Sequence, residues 1–170
     1  MLKTFFALLL IALPLWALPK VVLLKSVGAN NVMRFLDKSQ PFYCYTAAIN
    51  THETFLDSNA TSQACKTQMH LQLRRDPIMR YAYAYALHEE IAYTLEAYEG
   101  NSCFMWLDGG RTWSEYLLEK GYALLKNSHS EAFIKTTLYA KLQRAQERAK
   151  YEHRGVWSDE TLAECFRWLP

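Results

Sequence analysis

Residues 108–125, DGGRTWSEYLLEKGYALL, and residues 136–158, TTLYAKLQRAQERAKYEHRGVWS, decide the fold. A turn leads into a short helix, in which Thr112 and Glu115 stand at capping-box spacing and Gly121 falls where a helix would stop. In the helix that follows, Ile134, Leu138, Leu142, Ala145 and Ala149 recur at three or four residues and make one apolar face. Arg154 puts positive charge at its C-terminal end and His153 can add to it, Gly155 can take the left-handed cap, and Trp157 is expected to be buried. Two amphipathic helices therefore close a domain.

The chain has 170 residues, of which 51% are hydrophobic and 14% aromatic, enough for one domain with a substantial core. Its formal net charge of +2 is too small to imply a nucleic-acid partner. Residues 1–17 carry Lys3 near the start, an apolar run over 5–16 and Ala17 as a cleavage residue. That pattern predicts a secretory signal peptide, with an uncleaved membrane anchor as the alternative. No second candidate span follows, so the remainder is expected to be secreted or periplasmic.

Export changes the meaning of Cys44, Cys65, Cys103 and Cys165. No two have CxxC spacing, and an even number in an oxidising compartment favours disulfides. Three pairings are open. Cys44 with Cys103, both in predicted strands, and Cys65 with Cys165, both outside them, are preferred; buried free thiols are the alternative for the strand pair.

Strands are expected over 21–26, 32–36 and 42–49, joined by short turns. Residues 52–75 are irregular, with one short helix over 68–73 and a glycosylation triplet at Asn59-Ala60-Thr61. Asp76 caps a helix with Pro77 at its first position that runs to about residue 90, with Ile78, Tyr81, Ala82 and Tyr85 on its packed side. Strands over 91–98 and 103–107 form a hairpin, and Ser158 caps a short terminal helix. The order implies an α+β fold: a five-stranded OB-type β-barrel, a helix between strands three and four, and two to three C-terminal helices.

With that order in place, DGG, SEYLLEKGYA and LQRAQERAKYEHRGVWS resemble the C-terminal half of thermonuclease (staphylococcal-nuclease-like) domains, and residues 21–53 follow the family's first three strands without a gap. The resemblance covers 21–158, with an uncertain insert between Glu53 and Asp76. It divides the chain into a signal peptide (1–17), a thermonuclease-like domain (18–158) and a helical tail (159–170).

The chemistry implied by the resemblance is depleted. Phosphodiester hydrolysis in such a site needs carboxylates around a hard cation, a carboxylate for water and cationic donors for the phosphoryl oxygens. The family's D-G-D-T turn stands here as Gly28-Ala29-Asn30-Asn31, and its D-[TA]-P-E motif as Asn50-Thr51-His52-Glu53. Asn30, Asn50 and Thr51 therefore occupy the implied metal positions, with two aspartates lost, and Glu53 retains the implied base. The family's two arginine positions fall at Tyr45 and about Asn101. Loss of one such donor costs on the order of 10²–10³ in rate.

Against these readings stand plainer ones: Glu53 as a solvated strand-end glutamate, His52 as an exposed loop histidine, and Lys141, Arg144 and Arg148 as a solvated helix face. The expectation is an exported, catalytically inactive binding module without a cofactor, its partner left open between protein, nucleic acid and an envelope component. The alternative is a secreted or periplasmic metal-dependent nuclease with a site rebuilt from Glu53, Asn50 and His52, the last as a substitute acid or ligand, which would need Ca²⁺. A disulfide-stapled structural protein is a third class.

Overall fold

The computed structural model describes residues 19–28 and 31–166. The expected signal peptide, Asn30 and residues 167–170 lie outside the described residues. Eight strands are described: β1 (Lys20–Val27), β2 (Val32–Asp37), β3 (Gln40–Thr46), β4 (Ile49–Thr51), β5 (Ala92–Ala97), β6 (Ser102–Leu107), β7 (Arg111–Thr112) and β8 (Ala123–Leu125). The described helices are α1 (His52–Asp57), α2 (Gln63–Arg75), α3 (Pro77–Arg80), α4 (Ala82–Ala86), α5 (Trp113–Glu119), α6 (Glu131–Ile134), α7 (Thr137–Tyr151) and α8 (Glu160–Phe166), with a 3-10 turn over Gly155–Ser158.

The α+β expectation holds. Strand order β3-β2-β1-β5-β6 returns to β3 through a parallel pairing of Tyr45–Thr46 with Ser102–Cys103, which closes a mixed five-stranded barrel consistent with an OB-type barrel. β1 serves both neighbours: residues 20–23 pair with β5 and residues 23–27 with β2, and an irregularity between Leu24 and Ser26 lets the strand bend. Val22, Leu24, Met33, Phe35, Leu95 and Met105 point inward, and Trp113 at the start of α5 plugs the interior.

The cysteines pair as preferred. Cys44 joins Cys103 inside the barrel wall, and Cys65 on α2 joins Cys165 on α8, with Cα atoms 6.0 and 5.8 Å apart. Such bonds belong to an oxidising compartment. Among the described residues no helix is long and apolar enough to cross a membrane.

Several expected elements differ. The third strand does not run on to residue 49: Ala48 turns at φ 63°, and β4 leaves the barrel to pair with β8. The irregular stretch holds two helices, α1 and the thirteen-residue α2, where one short helix was expected. Asp76 does cap, accepting from the Met79 amide at 3.2 Å, but the helix breaks at Tyr81 into α3 and α4. Its packed side is Met79 and Ala82; Ile78, Tyr81 and Tyr85 face solvent, Tyr85 at 65% exposure. Of the four residues expected on the packed side only Ala82 is buried, because the break at Tyr81 interrupts the helical period.

Four α-helices and a 3-10 turn follow β6, rather than two or three helices. Thr112 caps α5 as expected, its Oγ1 accepting from the Glu115 amide at 3.1 Å. In α7 the inner face is Leu142, Ala145 and Ala149, while Ile134 sits on the separate α6 and is exposed. His153, at φ 52°, takes the left-handed position that ends α7, and the Arg154 amide reaches back to the Ala149 carbonyl at 2.9 Å. Gly155 is needed for another reason. A Cβ there would stand 2.3 Å from the Gly121 carbonyl oxygen, and one on Gly121 2.2 Å from the Arg154 carbonyl oxygen. At the terminal helix Asp159, not Ser158, caps, accepting from the Leu162 amide at 3.0 Å. Trp157 is half-buried, with Val156 as the buried residue beside it.

A second apolar core lies beside the barrel. Phe55, Met69, Leu73 and Met79 of α1–α3 pack with Leu124, Val156, Leu162 and Phe166. Buried Gln72 ties α2 to the 3-10 turn, its Nε2 donating to the Gly155 carbonyl at 3.0 Å and to Ser158 Oγ at 3.3 Å.

Candidate functional site

The implied site residues divide among three surfaces. Glu53, in the first turn of α1, opens onto a cleft of about 490 Å³ between the β1–β2 turn, α1, α2 and the α3–α4 break. Asn50 and Thr51, on β4, open instead onto a groove of about 480 Å³ shared with Tyr45, Asp57 and Lys126. Asn101, in the β5–β6 hairpin, lies on a third surface beside the Cys44–Cys103 bond. Backbone pairing still brings Tyr45 and Asn101 together, because the Tyr45 amide donates to the Asn101 carbonyl at 2.9 Å.

Within the cleft Glu53 is half-buried, and its carboxylate accepts from Asn31 Nδ2 at 3.1 Å. Asn31 is itself buried, adopts φ 51° and offers its carbonyl to Thr46 Oγ1 at 3.4 Å. The carboxylate thereby fastens the β1–β2 turn to α1. Glu53 is neither the plainly solvated glutamate nor one of a cluster of metal-holding acids. Among the described residues no group of three or more His, Cys, Asp or Glu could hold a metal. Calcium takes six to eight oxygen ligands rich in carboxylate. The described members of the implied set offer one carboxylate, with Asn50 and Thr51 on another groove, and do not fit that ion.

His52 is 7% exposed, not an exposed loop histidine. Burial first, and the Arg80 guanidinium second, push its pKa down to about 4, so the ring is neutral at pH 7. Residue order alone places His52 beside Glu53, but its burial depends on α2 and α3 closing over α1.

The cleft also holds side chains that the sequence did not single out. Arg74, in the last turn of α2, and Arg80, at the end of α3, both line it, with His70 and Tyr83. Neither arginine has a carboxylate partner among the described residues, whereas the adjacent Arg75 pairs with Asp159 at 3.2 Å. Five residues separate Arg74 from Arg80, with the Asp76 cap among them, so no helical or strand period could signal that they share a surface. On α7, Arg144 is exposed and Arg148 pairs with Glu119 at 3.2 Å, as a solvated face would.

No protein-family model matches the chain, and no curated protein matches it.

Proposed function

We propose that this chain is an exported barrel of thermonuclease type that works as a non-catalytic binding module. The observation that carries this reading is the isolation of Glu53, whose carboxylate accepts from Asn31 Nδ2 at 3.1 Å, with no second acid among the described residues that line its cleft. Positions where the resemblance implies arginine hold Tyr45 and Asn101, which contribute sheet pairing and no charge. A phosphoryl-transfer site without clustered carboxylates or preorganised cations at those positions lacks its main electrostatic stabilisation. The two disulfides support export, and a fold shared with enzymes does not by itself carry catalysis.

The test is cleavage of single- and double-stranded DNA and of RNA by the disulfide-bonded protein, with and without added calcium. No cleavage above background is expected. Metal-dependent cleavage that disappears with Glu53→Gln would overturn the module. One observation favours that second reading, a nuclease with a rebuilt site: Arg74 and Arg80 reach the cleft of Glu53 from α2 and α3.

A further inference from the structure

We propose that the cleft between α1, α2 and the β1–β2 turn binds a small organic oxyanion: a phosphate or sulfate ester carried on an apolar or aromatic body. It rests on the module reading above and names the class of ligand that the module would take.

Arg74 and Arg80 come from different helices, face one cleft and have no carboxylate partner among the described residues. Two guanidinium groups brought to one concave surface repel each other, and a bound anion relieves that repulsion. Of the other described arginines, Arg75, Arg111, Arg148 and Arg154 pair with acids, while Arg34 on β2 and Arg144 on α7 have no acid partner among the described residues; what distinguishes Arg74 and Arg80 is that the two line one cleft. The one carboxylate among the described residues lining the cleft, Glu53, is already engaged by Asn31.

Geometry and lining point to the rest of the ligand. A guanidinium fork offers paired donors to a tetrahedral or planar oxyanion, which a lysine pair would not. Buried His52 adds a neutral imidazole to the wall without adding a competing anion. Val27, Leu56 and Leu73 give the cleft an apolar side, and Tyr83 adds an aromatic one. At about 490 Å³ it is sized for a small molecule, not for a polymer track.

The experiment is calorimetric titration of the full disulfide-bonded chain with phenyl phosphate, phenyl sulfate and inorganic phosphate. It is repeated on Arg74→Gln, Arg80→Gln, the double variant and Arg144→Gln as a control on α7. All three substituted side chains are exposed, and thermal melts establish that each of the four variants is folded. Saturable one-to-one binding of an ester is expected, weakened roughly tenfold to a hundredfold by either cleft substitution and lost in the double variant. Arg144→Gln should bind as the parent does. The preferred ester identifies phosphate or sulfate as the head group, and weaker binding of inorganic phosphate would show that the apolar body contributes.

No saturable binding of any probe, or an equal loss with Arg144→Gln, would overturn the site. Failure here alongside a silent nuclease assay removes the anion site and leaves the module reading intact. Release of phenol from phenyl phosphate, lost with Arg74→Gln, would instead uphold the site and overturn the non-catalytic reading.

Discussion

The barrel and the second core are built on different principles, although each carries one disulfide. The barrel's residues come from strands that alternate inward and outward, and every strand is hydrogen-bonded to its neighbours. The second core collects segments far apart in the chain, 55–79 and 156–166, with Leu124 between them. Its holding contacts include Phe55 packed edge-on to Phe166 at 4.8 Å, the Gln72 hydrogen bonds, the Arg75–Asp159 ion pair and the Cys65–Cys165 bond. A sheet closes on itself, whereas a cluster of short helices must be held from outside. The cleft of Arg74 and Arg80 falls on the boundary, lined by α2 and α3 on one side and by Val27 and Gly28 at the end of β1 on the other.

The largest expected effect separates the two disulfides. They close loops of 59 and 100 residues, so chain entropy alone makes them differ by only about half a kcal/mol out of roughly 4 to 5. The surroundings differ more. Replacing Cys44 and Cys103 with alanine leaves the β3–β6 pairing in place, and one cooperative transition at lower stability is expected. Replacing Cys65 and Cys165 with serine removes the only covalent tie between α2 and α8, and hydrogen exchange should rise first over 52–80 and 156–166. Uniform exchange in both variants would mean that the two cores are one cooperative unit.

The same contrast explains what the sequence disclosed. Strands β1, β2, β5 and β6 and helices α5 and α7 announce themselves by period and by caps such as Thr112, because each buries one regular face. Three-residue β4 and β8 are too short to show a period. α2 buries only Met69, Gln72 and Leu73 among polar neighbours, so its pattern reads as loop. The cleft was legible at Glu53 and its neighbour His52, and at the Gly28 turn, but not at its arginines. Arg74 and Arg80 become neighbours through the break at Tyr81, and His52 becomes buried through helices packed over it, neither of which leaves a local signature. The disulfide pairing was recoverable because strand membership separated the two pairs.

A smaller effect tests whether the second region sets the acid stability. His52 has a folded-state pKa of about 4 against an ordinary 6.5, so above pH 6.5 it is neutral in both states and contributes no slope. As pH falls from 6.5 to 4 the unfolded chain takes up a proton that the folded chain refuses, and stability drops by on the order of 3 kcal/mol. Below about 4 the slope from this group ends. His129, near the barrel's Tyr98 and Phe133, is shifted down chiefly by burial and acts with the same sign. Urea midpoints between pH 7 and 4 should fall less steeply for His52→Gln than for the parent. An unchanged slope would assign the acid sensitivity elsewhere.

The smallest effect measures the strap between the two regions. Asn31, at the mouth of the barrel, donates to Glu53 on α1, and this is a charge-assisted bond in a half-buried place, contributing about 1 kcal/mol. Asn31→Gly deletes the amide while favouring the same backbone, since φ 51° suits glycine. Glu53→Ala deletes the other partner, and the double variant completes a cycle. A coupling near 1 kcal/mol means that the carboxylate fastens α1 to the barrel, as the proposal of a non-catalytic role for Glu53 requires. Strict additivity would mean that the two side chains stabilise the fold independently, leaving Glu53 free to act on something bound in the cleft. Because the deletion lies at the cleft rather than in either core, a positive coupling should come with faster hydrogen exchange in α1 and none in β5 or β6.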